Sequence, residues 1–391
     1  MHSWHRFSTP CSIHCYIINF LRAKKTYAHG RRFLLRYISL LHSCRQSQIR
    51  RRCSWPLPPL LGHMSAWSLC CAAAPLRFGR NSALTRACHV EMYIRSMNTW
   101  VSNQAFANFP SDIQTLATNL EDARLNNYQI PPLTTSIPDL TQDKSYHIAA
   151  AVRALRCERH GDQVLGRKIG FTNKSIWPEY NVDRSNWSYM YRSTIIDLAQ
   201  QSSPSVCDLS VLSNLEPKIE PEIVLGLKAP VAAEMDDEEV LGCVEWIAHG
   251  FEIVASVFPG WKFTAADTTA AFALHGMLLL GPKMLVDHSS DSAASQLDRL
   301  ENFEITLFRN QSVVDTGSGR NVLGSPIKAL RHLAELLEVD ENNPPLAAGE
   351  MVTTGTLTRA MGLRSGEKWQ TRIEGLDVSP LDVKFEEKIR T

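Results

Sequence analysis

The sequence predicts a β-rich α+β fold with peripheral helices. Two helical segments come first, a series of short apolar runs divided by glycines and prolines follows, and nothing resembles a doubly wound nucleotide fold. The first helix is expected over 112–128. Pro110-Ser111-Asp112 supplies turn and cap, Ile113, Leu116, Leu120 and Ala123 recur at helical spacing, and Asn126-Asn127 and Pro131-Pro132 stop it. The second, over 144–160, carries Ile148, Val152 and Leu155 on one side and ends at Gly161. Strands are expected over 164–172, 219–227, 243–256, 277–280, 303–308, 351–355, 369–373 and 381–385. One late helix, 326–337, has Ile327, Leu330, Leu333, Ala334 and Leu337 as its buried stripe. No GxGxxG or phosphate loop is present, since Gly317-Ser318-Gly319 lacks the strand-to-helix setting and the third glycine. The acidic run 234–239 reads as a solvated turn or the first turn of a short helix, and the serine-rich stretch 287–295 as a surface connection.

The chain has 391 residues and a formal charge of +1, but that average joins two opposed parts. Residues 1–95 hold 15 Lys and Arg against one acid, Glu91, while the rest holds 26 basic and 39 acidic residues, a charge of −13. A body so acidic repels a phosphate backbone, which argues against a nucleic-acid partner. Seven of the ten cysteines also lie in the leader. Cys157, Cys207 and Cys243 are scattered, without a disulfide framework or a CxxC zinc pattern, and point to a reducing compartment. The organisation expected is a basic leader (1–95), a helical N-terminal part (96–162) and a metal-binding catalytic domain (163–391).

The leader has three readings: a stretch upstream of a natural start at Met64, Met92 or Met97, a mitochondrial presequence poor in acids, or a disordered tail. A cytoplasmic location is expected, with the mitochondrion as the alternative. The apolar stretches 16–21, 67–76 and 251–258 fall short of the ~18 to 20 residues needed to cross a bilayer, so no membrane anchor is expected.

The most informative string is Ile219-Glu220-Pro221-Glu222-Ile223-Val224-Leu225. In a strand, Glu220 and Glu222 share a face, and two carboxylates held that close repel unless a cation offsets them. Glu252, inside Gly250-Phe251-Glu252-Ile253-Val254, is flanked by apolar sequence and needs a partner, a metal or a proton. From residue chemistry alone the three acids form a divalent-metal site, or separate salt bridges, or face solvent from half-buried strands.

Together with their neighbours, these strings resemble the fumarylacetoacetate hydrolase superfamily, in the branch of 2-oxopent-4-enoate hydratases and 4-oxalocrotonate decarboxylases. The resemblance is carried by Gly166-Arg167-Lys168-Ile169-Gly170-Phe171-Thr172-Asn173, by Ile219-Glu220-Pro221-Glu222, and by Phe251-Glu252-Ile253-Val254 with Trp261 after it. Ala266-Asp267-Thr268, Gly317-Ser318-Gly319, Leu323-Gly324-Ser325-Pro326 and Thr353-Thr354-Gly355-Thr356 complete it, over about residues 112–388.

The resemblance implies a mixed β-roll or sandwich, with Glu220, Glu222 and Glu252 as ligands of one Mg²⁺ or Mn²⁺. It also implies a small 2-oxo acid substrate and a homo-oligomer. Lys168 is the cation expected to hold the substrate carboxylate or assist proton transfer, Thr172 and Thr356 are expected hydroxyl donors, and Ser325 is a further candidate at a helix start. Three departures stand out. The region of the branch's Pro-Asp-Tyr/Phe-Gly segment and the acid after it reads Asn186-Trp187-Ser188-Tyr189-Met190-Tyr191-Arg192-Ser193 here, with Arg192 where that acid is expected. Its Ala-Asp-Asn becomes Ala270-Ala271-Phe272, and its Gly-His-Pro becomes Gly324-Ser325-Pro326. Arg192 is therefore expected to bind a distal anionic group of the substrate rather than move protons.

The reading is a metal-dependent lyase, with hydration of a 2-hydroxydienoate or 2-oxoalkenoate ahead of 2-oxo acid decarboxylation. Acylpyruvate hydrolysis and a catalytically silent binding homologue are the alternatives; His147 and His160, on a helix, are poor water activators. Because the helices and every matching string lie downstream of Met97, a chain starting there should unfold at the same temperature as the full chain and bind divalent metal equally. Calorimetry and metal titration of the two chains check this.

Overall fold

The computed structural model describes residues 105–387, apart from Asn181 and residues 202–203 and 290–291; the basic leader lies outside the described residues. Helix α1 (Ser111–Leu125) and helix α2 (Gln142–His160) come first. Thr141 caps α2 by accepting from the Lys144 N–H, and Gly161, at φ 62°, closes it in the left-handed conformation that costs glycine least.

The chain then enters β1 (Val164–Gly170) and passes through the short helix α3 (Trp177–Tyr180) to β2 (Asn186–Tyr191), β3 (Ile195–Asp197) and β4 (Ser205–Asp208). The long pair β5 (Lys218–Leu227) and β6 (Val244–Val254) is joined through α4 (Asp237–Cys243). Next come α5 (Ala265–Ala270), β7 (His275–Leu280), β8 (Met284–Leu285), α6 (Ala293–Asn302), β9 (Glu304–Arg309) and β10 (Ser312–Ser318). Helix α7 (Pro326–Glu338), β11 (Met351–Thr353), β12 (Met361–Gly362), β13 (Lys368–Glu374) and β14 (Asp382–Glu386) complete it.

The strands make two sheets. The larger runs β2-β1-β11-β5-β6-β7-β3, with β12 and β8 added on β5 and β6, and curls into a half-barrel; the smaller runs β10-β9-β13-β14-β4. This is the β-rich α+β roll expected from the sequence. Residues of even number on β5 and β6 face the inside of the curl, where Val224, Ala248, Leu278, Leu280, Met190 and Met351 form a small apolar cluster. The opposite face carries Ile219, Phe251, Ile253 and Leu279 into a core shared with Ala117, Leu120, Ile148 and Val152 of α1 and α2. On α7, Leu330 and Leu333 are fully buried, as their spacing predicts, and truncating either to Ala removes burial worth about 2–5 kcal/mol.

The expectation of one late helix is corrected. Helices α4, α5 and α6 also follow the first strands; α4 begins in the acidic run as the first turn of a short helix, one of the two readings given to it, and the serine-rich stretch ends in the cap of α6, where Ser292 accepts from Ser295 N–H. They are short, and two start at capping boxes inside polar sequence, so no long apolar stripe announces them. Strand β2 also went unexpected: all six of its residues are buried, so polar Asn186 and Ser188 break the alternation that marks a half-exposed strand.

The end of α2 is tied to the turn after β2 by Asp162. Its Oδ2 accepts from Arg156 Nη2 at 2.8 Å and Ser193 Oγ at 2.6 Å, and its Oδ1 from the Gln163 and Ser193 N–H groups. Burial opposes its charge, but the Ser193 and Arg156 hydrogen bonds outweigh that and hold the carboxyl below its ordinary range. A carboxyl depressed in the folded state stabilises above its unfolded pKa and loses that contribution as pH falls through the folded one. Asp162→Asn should thus lower the urea midpoint at neutral pH, with the deficit vanishing in acid; denaturation at both pH values checks it.

Candidate active site

Strand pairing assembles the site on the inner face of the curl. Glu220 of β5 stands directly opposite Glu252 of β6, Glu222 lies two residues along, and Lys168 of β1 projects from the far side of β11 through its pairing with Thr353. One oxygen from each of the three glutamates falls within 4.8 Å of the others. Glu222 and Glu252 are fully buried, while Glu220 is half-buried.

The carboxylates are held unequally. Glu222 Oε2 accepts the Gly355 N–H at 2.8 Å and its Oε1 has no partner. Glu252 Oε1 is 2.7 Å from His275 Nδ1; its Oε2 lies 3.2 Å from Lys168 Nζ, at ion-pair distance but not aligned for a hydrogen bond. Burial pushes Glu220 up to about 7 against the pull of Lys168, and pushes Glu222 well above the ordinary range, reinforced by the neighbouring carboxylates. For Glu252 burial is again the largest influence, but Lys168 and the His275 hydrogen bond oppose it and bring the carboxyl down to about 2. Lys168 is opposed by burial too, yet the three acids hold its pKa above the usual lysine value.

Three acids against one buried ammonium leave a negative excess, Glu222 Oε1 has no hydrogen-bond partner, and Glu252 Oε2 has only the Lys168 ion pair. A hard divalent cation bound by oxygen would supply what is missing, so the donor set fits Mg²⁺ or Mn²⁺, which Glu220, Glu222 and Glu252 would hold.

The pocket beside the acids is lined by Lys168, Thr172, Asn186, Glu220, Glu222, Trp261, Ala273, Leu274, Gly355 and Thr356, among others. It brings together six of the eight expected site residues when Glu252, against Lys168, is counted. The threonines enter differently from expectation. Thr172 Oγ1 donates to the Thr354 carbonyl at 3.1 Å and Thr356 Oγ1 to the Thr358 carbonyl at 2.9 Å, so what they offer the pocket is lone pairs.

Arg192 and Ser325 are not in the pocket. Arg192 follows the last residue of β2 in an exposed turn, where its Nε donates to Gln163 Oε1 at 2.9 Å. Ser325 is the N-cap of α7, accepting from Lys328 N–H, one layer behind β1. Arg167 points outward against Trp187 and Tyr189 and pairs with Glu350, as alternation from Lys168 requires.

Sequence reasoning missed His275 and gave Asn186 no place in the pocket. Asn186 Nδ2 donates to Thr268 Oγ1 at 3.1 Å, leaving its buried Oδ1 without a partner. His275 was hidden because only the β6–β7 register brings it to Glu252. The pocket wall before β7 is a run of three left-handed residues, Phe272 (φ 59°), Ala273 (φ 44°) and Leu274 (φ 64°). His147 packs on Phe109 and His160 is exposed, so neither reaches the acids.

Comparison with known proteins agrees with this geometry. The profile described as fumarylacetoacetate hydrolase C-terminal matches residues 194–380. The chain is 29% identical over 265 residues, 68% of this chain and 94% of the relative, to a 2-hydroxyhexa-2,4-dienoate hydratase of Comamonas testosteroni. It is 28% identical over 262 residues, 67% and 92% of the two chains, to a 4-oxalocrotonate decarboxylase of Pseudomonas sp. strain CF600. In structure it superposes on a 4-oxalocrotonate decarboxylase from Pseudomonas putida G7, complexed with magnesium and adipate. There the TM-score is 0.62 at 24% identity, covering 70% of this chain and 97% of that one, and the likeness shows the fold. The chain belongs to the fumarylacetoacetate hydrolase superfamily. Within it, the chain falls in the branch of 2-oxopent-4-enoate hydratases and 4-oxalocrotonate decarboxylases.

Gly355, at φ 98°, holds Glu222 through its N–H, and a Cβ there would overlap Thr172 Oγ1. Gly355→Ala should cost about 2–4 kcal/mol through strain and clash, and weaken metal binding by displacing Glu222. Urea denaturation and titration with Mg²⁺ measure the two effects separately.

Proposed function

We propose that the described region is the body of a divalent-metal-dependent lyase for small 2-oxo acids, and that its reaction is decarboxylation of an acid whose second carboxylate is conjugated to the keto group. The observation that carries the metal reading is the convergence of Glu220, Glu222 and Glu252, with Glu222 Oε1 unpartnered and Glu252 Oε2 held only by the Lys168 ion pair. A bound cation supplies Lewis acidity toward the adjacent carboxylate and keto oxygens of such an acid.

The chain's own residues do the rest. The Lys168 ammonium binds the substrate's negative charge and offers a proton from Nζ. Asn186 presents its Oδ1 as an acceptor at the pocket, and Trp261, Ala273 and Leu274 give the carbon chain an apolar wall that excludes water. In decarboxylation the carbon–carboxylate bond breaks, its electron pair moves along the conjugated chain toward the keto group, carbon dioxide leaves, and one proton returns to carbon. That needs one proton donor, and Lys168 is positioned for it.

Water addition needs in addition a group that takes a proton from water. Asn186 is an amide and takes none, and Arg192, which stands where the branch carries an acid, lies outside the pocket. This supports decarboxylation ahead of the hydration expected from the sequence. Hydration remains the second reading, favoured by the identity to the Comamonas hydratase.

The full chain, assayed on a panel of conjugated 2-oxo acids with Mg²⁺ or Mn²⁺, should release carbon dioxide. Loss of diene or enone absorbance without carbon dioxide would assign it to water addition instead. Glu220→Gln, Glu222→Gln and Glu252→Gln should each weaken metal binding at least about tenfold and lower turnover with it; unchanged affinity in all three would remove the ligand assignment. Since Glu220 and Glu222 carry raised pKa values without the ion, uptake must displace protons, so affinity should strengthen as pH rises through neutrality. Titration calorimetry in two buffers of different ionisation enthalpy counts the protons released.

A further inference from the structure

Glu252 is one end of a buried chain of three residues. Its Oε1 lies 2.7 Å from His275 Nδ1, and His275 Nε2 lies 2.9 Å from the Thr194 hydroxyl. Thr194 is itself fixed to the Tyr191 backbone, accepting its N–H at 3.3 Å and lying 2.9 Å from its carbonyl. An ionised carboxylate only accepts, so the Nδ1 proton points at Oε1 whichever state Nε2 adopts. His275 is 3% exposed and packed between β6 and the turn before β3, which leaves the ring no room to turn away.

His275 thus turns Oε1 toward β7 and engages one of its lone pairs, and Oε2, 3.2 Å from Lys168 Nζ, is the oxygen that Glu252 turns toward the acids. Glu222 follows the same rule, with Oε2 held by the Gly355 N–H and Oε1 without a partner. Mg²⁺ demands near-octahedral geometry with one oxygen from each carboxylate, whereas Ca²⁺ takes six to eight oxygens and accepts carboxylates through both. We propose that His275, held by Thr194, is a positioning residue that restricts Glu252 to one metal-facing oxygen and thereby sets the site's preference for a small octahedral cation over Ca²⁺. The inference rests on the metal reading above and adds a determinant of ion choice to it.

The test is isothermal titration of the full chain with Mg²⁺ and, separately, with Ca²⁺, for wild type, His275→Leu, His275→Asn and Thr194→Val, each checked for folding by thermal unfolding. Freeing Oε1 in His275→Leu should raise the Ca²⁺-to-Mg²⁺ affinity ratio at least about tenfold, the scale on which partners of metal ligands act. His275→Asn keeps an N–H donor for that oxygen and should stay near the wild-type ratio. Thr194→Val should move the ratio in the same direction by less. An unchanged ratio in His275→Leu, or a parallel loss for both ions, overturns the inference even if activity disappears. Should His275→Leu fail to fold, Thr194→Val decides, and an unchanged ratio there overturns it. A wild type that binds neither ion overturns the metal reading and the inference together; one that binds Mg²⁺ while its variants keep the ratio overturns the inference alone.

Discussion

Holding like charges together inside a protein is the constraint around which this fold is arranged. Glu220 and Glu252 face each other across neighbouring strands, a pairing that is unfavourable on any sheet and worse in a curl that excludes water. What makes it tolerable is drawn from elements far apart in the chain. β1 sends in the Lys168 ammonium, the segment after β11 the Gly355 N–H, and β7 the His275 ring. The order β1-β11-β5-β6-β7 is the arrangement that puts these three groups around three acids. The apolar cluster of Val224, Ala248 and Leu278 beside them keeps the dielectric low, so each contact is strong and each missing partner costly.

The acids were legible in the sequence because strand periodicity is a local rule. Glu220 and Glu222 share a face by counting two, and Glu252 betrays itself by its apolar flanks. The resemblance of the surrounding strings then fixed the fold class without any knowledge of register. The limits of that reading are equally physical. His275 looks like one polar residue opening an apolar strand until β6 is laid against β7. Asn186 and Ser188 made a fully buried strand look like a loop, and the short capped helices carry no stripe long enough to count.

Arg192 shows why matching a position does not place a side chain. Asn186, Ser188 and Met190 alternate toward the inside of the curl, while Trp187, Tyr189 and Tyr191 pack outward against Arg153, Arg156 and Arg167. At Arg192 that alternation stops, because the chain turns through one short helical turn fastened to Gln163 and Asp162. The side chain leaves with the turn. The titratable groups that line the pocket are accordingly Lys168, Glu220 and Glu222, and Arg192 is not among them.

The left-handed run Phe272-Ala273-Leu274 has a consequence for how this protein can change. Non-glycine residues avoid that conformation at a cost of about 1–2 kcal/mol each, and three in succession store strain in the wall of the pocket itself. Glycine or asparagine would relieve that strain, so this is a segment where selection for thermal robustness alone would act. The same replacements would strip the wall of the Ala273 and Leu274 side chains that line the pocket. At Ala273 and Leu274 durability and the shape of the pocket thus pull in opposite directions, and a heat-adapted descendant would have to find its stability elsewhere in the fold.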